Sequence, residues 1–173
     1  MKEYHEENGR TVDISKLKAP FMPEKDYIQA NKGLVTICHD IILEYNGGAL
    51  LVTRDNYPAK GLLFPIGGRV KRGMKTEESL RMKVKGESNL EVTGITFLGC
   101  ARTFYKTDPF GHKKGTDDIS LMFFGKAKGT LKLDNLHKDP VIVTKEKFRK
   151  LRARLHPYVR DFLDDVFARA LLE

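Results

Sequence analysis

The stretch "GLLFPIGGRVKRGMKTEESLRMKVKGESNLEV", running from Gly61 to Val92, decides how the chain is read. A short apolar run, Leu62 to Phe64, leads into the glycine pair Gly67-Gly68. A basic turn with Arg69, Lys71 and Arg72 follows, and then a charged helix. Thr76 is read as the helix N-cap. Glu77 and Glu78 fall in the first turn, where carboxylates complement the positive end of the helix dipole. The helix is expected to end near Ser88. A strand, a glycine turn and a helix in that order usually build a phosphate or metal site. Yet this helix offers few carboxylates where a hard cation would want them.

Upstream, "LVTICHDIILEY" is a β-branched apolar run and is expected to be a buried strand. Asn46, Gly47 and Gly48 supply a turn, and "ALLVTR" returns as a second strand. "DNYPAKG" is a loop, by its Asn, Pro and Gly. "PEKDYIQANKG" holds a short helix that Gly33 stops. Residues 1 to 22, ending in "APFMP", are read as a loosely attached N-terminal arm, and residues 23 to 173 as one domain. Downstream, "EVTGITFLGCARTFY" and "ISLMFFGKAKG" are strands separated by the polar loop "KTDPFGHKKGTDD". A helix capped at Thr144 follows. The last helix carries Tyr158, Phe162, Val166 and Ala170 on one stripe. Strands and helices alternate irregularly, so the expected fold class is α/β, a mixed sheet covered by helices.

Composition narrows the function. A chain of 173 residues is long enough for one domain with a real core. No apolar run reaches the length of a bilayer span, and "MKEYHEENGRTVD" lacks the apolar centre of a signal peptide. The two cysteines, Cys38 and Cys100, make neither a disulfide framework nor a metal quartet, and are read as reduced core residues of a cytoplasmic protein. The net charge of +8 favours anionic partners. The basic residues are scattered, without the interleaved aromatics of a nucleic-acid surface, so RNA is not the favoured partner. His39, His112, His137 and His156 show no metal-ligand spacing.

The segment from Arg54 to Leu90 resembles the box of the Nudix hydrolase family. That box reads Gly, five residues, Glu, seven residues, Arg-Glu, an aliphatic, any residue, Glu-Glu, any residue, Gly and an aliphatic. With its first Gly at Gly68, the first Glu falls on Met74 and the Arg-Glu pair on Met82-Lys83. The Glu-Glu pair falls on Gly86-Glu87 and the second Gly on Asn89. The frame survives and most of its charged residues do not. "TRDNYPAKGLLFPIGGRV" is similar to the branch of the family that contains GDP-mannose mannosyl hydrolase, and that similarity extends over about residues 22 to 125.

The resemblance implies the Nudix fold, a mixed β-sheet sandwiched between α-helices. It also implies a nucleoside-diphosphate-linked ligand, a nucleotide sugar first of all. Arg54 and Arg69 match arginines that bind or stabilise the diphosphate, and Glu87 matches a glutamate that holds Mg²⁺. Arg54, Arg69 and Glu87 are therefore the expected catalytic residues, with Glu87 the only metal ligand. Arg54, Gly67, Gly68, Arg69 and Lys83 are the expected substrate-binding residues. The branch takes its base from a histidine on a later strand. The matching stretch here, "TDDISLMFF", has none, leaving His112, Asp117 or Asp118 as guesses.

Positions 83 and 87 share a helix face, so Lys83 places an ammonium beside Glu87. Bound Mg²⁺ is expected to be weak or lost. The leading expectation is a divergent Nudix protein that recognises a nucleoside-diphosphate-linked compound, with hydrolysis weak or lost. A homodimer is compatible with it. The alternatives are a non-catalytic ligand-sensing or protein-interaction module on the same fold, and a basic protein that binds RNA or a capped end.

Overall fold

The computed structural model describes residues 1–19 and 22–172. Pro20 and Phe21 of the expected arm and Glu173 of the last segment lie outside the described residues. Two short strands, β1 (Glu6–Glu7) and β2 (Arg10–Thr11), pair as a hairpin at the start. They are followed by α1 (Glu24–Asn31), β3 (Thr36–Tyr45) and β4 (Gly48–Arg54). Next come β5 (Leu63–Phe64), β6 (Ile66–Arg69), α2 (Thr76–Ser88), β7 (Glu91–Tyr105) and β8 (Thr116–Lys128). The chain closes with β9 (His137–Val143), α3 (Lys145–Leu151) and α4 (Pro157–Ala168).

The main sheet runs β5-β4-β3-β8-β7, with β6 also on β3 and β9 also on β4. β3 and β8 are parallel, while the other pairs are antiparallel, so the sheet is mixed. Asn46 and Gly47 take the positive φ that a two-residue hairpin turn demands, and they set the register Tyr45 opposite Gly48.

Alternation along β3 explains the layers. Ile41 and Leu43 face one side and join Leu80 and Val84 of α2. Ile42 faces the other and joins Val159, Leu163 and Val166 of α4. The sheet is thus buried on both faces between helices, as expected.

Five local expectations change. Thr76 is the first residue of α2, and Lys75 precedes it without a side-chain cap. The cap comes from the N-terminal segment: Glu3 Oε1 accepts the Thr76 N–H at 2.8 Å and its hydroxyl at 2.6 Å. Arg72 Nε also donates to Leu17 O at 3.1 Å, which lays the same segment along the basic turn. Asp117 and Asp118 belong to β8 and not to a loop. β9 is a strand that the sequence reading passed over, because Pro140 interrupts its apolar pattern. In α4 the buried stripe is Tyr158, Val159, Leu163 and Val166, and Ala170 lies past the helix end. The cysteines are not core residues either, since Cys100 is exposed and Cys38 half-buried.

α2 does stop where expected. Asn89, which stands where the box has its second Gly, takes the left-handed conformation at φ 60°. Asn tolerates that region better than other side-chain-bearing residues, so a glycine's task is kept without a glycine.

Candidate functional site: a cavity beside the glycine strand

β3, β4, β6 and β8 carry their ends to one cavity of about 350 Å³. Arg54, Gly68 and Arg69 all line it, together with Asp40, Asp118, Tyr105 and Tyr158. Sequence reasoning therefore chose three residues that the fold brings to one wall. Arg54 ends β4, and its Nε donates to Pro58 O at 2.9 Å. Arg69 ends β6, and its guanidinium lies 3.9 Å from the centre of the Tyr27 ring. Phe110 meets Tyr27 edge-on at 5.4 Å, so α1 and the loop before β8 together frame this side.

Gly67 pairs with Asp40 across β3 and β6. A Cβ at Gly67 would stand 2.6 Å from His39 O and 2.7 Å from Asp40 Cα, so the two strands approach this closely only with glycine. The turn beyond is pinned as well. Lys71 N–H donates to Ser79 Oγ at 2.9 Å, and that hydroxyl lies 2.8 Å from His39 Nε2.

Glu87 and Lys83 sit behind this wall, on the α2 side. Glu87 Oε1 pairs with Lys83 Nζ at 3.2 Å, and Oε2 accepts the Gly67 N–H at 3.3 Å. Burial raises the Glu87 pKa, against the opposing pull of Lys83 and His137.

The guessed bases separate. His112 is tied to the loop, with Nε2 at 2.9 Å from Asn31 Oδ1 and Nδ1 at 3.4 Å from Asp108. Asp117 is paired bidentately with Arg102 at 2.9 and 2.8 Å. Asp118 alone of the three lines the cavity, and burial pushes its carboxyl up to about 6.

Three groups were missed. Asp40, half-buried at the cavity, is pushed up to about 6 by desolvation, although Tyr158 Oη donates to it at 2.7 Å. The other two are Asp134 and His137. His137 Nδ1 lies 2.8 Å from Asp134 Oδ1, and its Nε2 lies 4.0 Å from Glu87 Oε2. The ligand-bearing atoms of Glu87, Asp134 and His137 all lie within 4.8 Å of one another, so His137 belongs to a candidate metal cluster that the spacing of the histidines in the sequence did not show. No local spacing predicts a group that gathers α2 and the entry to β9. The short Asp-x-x-His interval is the only sequence signal for it.

Mg²⁺ wants several hard oxygen ligands. The box positions give it Met74, Lys83 and Gly86, which have no carboxylate, and Glu87, whose two oxygens already have donors. These residues do not fit Mg²⁺. The mixed set of one imidazole and two carboxylates suits a borderline metal better. Even there, Lys83 opposes a second cation.

A family model described as NUDIX domain matches residues 38–166. The chain belongs to the Nudix family. Among the relatives of this Nudix protein is the low-salt glycan biosynthesis protein Agl8 of Haloferax volcanii. It is 31% identical over 141 residues, which span 82% of this chain and 86% of that protein. Similar solved structures include the NUDIX domain of Shewanella oneidensis NrtR, in complex with ADP ribose. It has a TM-score of 0.62 and 14% identity, over 86% of this chain and 99% of that one. A NUDIX hydrolase from Nitrosomonas europaea has a TM-score of 0.60 and 16% identity, over 78% of this chain and 90% of that one. These structural likenesses establish the fold. Among the described residues, no helix is long and apolar enough to cross a membrane.

Proposed function

We propose that this Nudix protein binds a nucleoside-diphosphate-linked compound, a nucleotide sugar first of all, and that its magnesium-assisted hydrolysis is weak or lost. The observation that carries the reading is the convergence of Arg54, Arg69 and the Gly68 backbone on one cavity wall, while the box carboxylates are replaced. A guanidinium fork suits a diphosphate, and a side-chain-free strand lets an anion approach the backbone. The relative named for glycan biosynthesis supports a sugar-linked ligand. Half-buried carboxyls at Asp40 and Asp118, both within the field of Arg54, supply partners for hydroxyl groups in the same cavity. Weak turnover is supported by the one retained box carboxylate, Glu87, which Lys83 and the Gly67 N–H already engage.

The test is a panel of nucleotide sugars and dinucleotides, read for thermal shift and for product release, with and without Mg²⁺. Stabilisation by a nucleotide sugar with little product is the expected result. Brisk Mg²⁺-dependent turnover would overturn the loss of hydrolysis. Absence of any shift would overturn the ligand class.

A further inference from the structure

Lys83 stands one helical turn before Glu87, and their pair is not an ordinary surface bridge. The Glu87 side chain is 11% exposed and that of Lys83 30%. The ammonium rests against the strand that lines the cavity, since a Cβ at Gly68 would lie 3.4 Å from Lys83 Nζ. On the far side of the carboxylate, the Gly67 N–H takes Oε2, and His137 lies behind it at 4.0 Å. The Glu87 charge is thus answered from within the chain. A divalent ion would have to displace the ammonium from Oε1 and then remain beside it, where like charges at contact distance repel strongly in a half-buried setting.

We propose that the Lys83 ammonium, seated between Glu87 and the Gly68 backbone, is the built-in cation of this site, so that the cavity takes a nucleoside diphosphate without a divalent metal. This rests on the diphosphate reading above. Lys83 stands behind the Gly68 strand and does not line the cavity, so its ammonium acts on a phosphate at the Gly68 backbone as a charge across that side-chain-free strand. Arg54 and Arg69 grip the same group from the cavity side. A covalently held cation is present at every metal concentration, and its position is fixed by Glu87. In this arrangement Glu87 is a positioning residue for Lys83.

Calorimetric titration of the full chain with GDP, UDP and inorganic pyrophosphate, once in EDTA and once in MgCl₂, tests this. Each probe that binds is expected to do so with affinities that agree within about twofold in the two buffers. Lys83→Met is expected to weaken binding at least about tenfold by removing that charge, while Lys83→Arg keeps most of it. Lys83→Met leaves Glu87 buried without its partner, so Lys83→Met/Glu87→Gln is titrated as well, with circular dichroism to verify its fold. It is expected to show the same loss. Binding abolished by EDTA would overturn the proposal, as would wild-type affinity in the folded double variant. Failure of all three probes in both buffers would overturn the diphosphate reading itself, and this inference with it.

Discussion

Tyr158 of α4 donates a 2.7 Å hydrogen bond to Asp40 of β3, joining the last helix to the central strand at the floor of the cavity. The contact holds the Asp40 carboxyl lower than its burial alone would, and it still stands at about 6. Asp118 stands at about 6 too, again chiefly through burial. Both values exceed the unfolded one of 3.8, so the native state binds more protons than the unfolded state between about pH 4 and 6. Stability is then lost as pH rises through that window, on the order of 3 kcal/mol at most for each carboxyl. Urea midpoints between pH 4.5 and 7 should fall, and Asp40→Asn should flatten part of the slope. Tyr158→Phe should cost about 1 kcal/mol at pH 7 and carry the slope to higher pH.

Two glycines of the box region should respond in opposite senses. Gly67→Ala forces a Cβ into His39 and Asp40 backbone, so it should lower the melting temperature and spread β6 from β3. At Gly86, inside α2, an added Cβ meets nothing within 4 Å. Gly86→Ala should stabilise by about 1 kcal/mol, or roughly 2–4 °C for a chain of this size. Differential scanning calorimetry of both variants checks this.

Glu3 provides the N-terminal cap of α2 from outside the helix. Glu3→Ala should therefore destabilise by about 1 kcal/mol, the usual cost of a lost cap, although position 3 lies in the N-terminal segment. Amide exchange should quicken first at Thr76 and its neighbours. Unchanged exchange there would mean that the cap contributes nothing.

Mg²⁺ alone should bind weakly, because Lys83 opposes it and Met74 and Gly86 offer no charge. The combined variant Met74→Glu, Lys83→Glu and Gly86→Glu should raise Mg²⁺ affinity in calorimetry. No gain would show that this helix face does not look onto a metal position.

Arg69→Ala should reduce the thermal shift produced by a nucleoside diphosphate while changing the unliganded melting point little, since Arg69 is exposed and exposed substitutions cost little. A ligand at a hundredfold excess over its Kd stabilises by about 2.7 kcal/mol, a shift large enough to resolve a partial loss. Lys71→Ala controls for general charge attraction. Equal losses in both variants would point to nonspecific electrostatics.

The strands at Thr36–Tyr45 and Gly48–Arg54, the turn between them, the extent of α2 and the cap at Thr144 were all legible locally. Each is written in a period, a turn residue or a cap that acts over a few positions. The motif spacing added the family and three of the cavity residues, Arg54, Gly68 and Arg69. What stayed hidden depends on pairs far apart in the chain. Glu3 replaces Thr76 as the cap only because the N-terminal segment returns to α2. Asp118 turns into the cavity only because β8 lies parallel to β3. The meeting of Glu87 with Asp134 and His137 needs β9 beside β4, a pairing that Pro140 disguised. Local sequence governs backbone propensity, whereas burial and electrostatic company are set by what the folded sheet brings together.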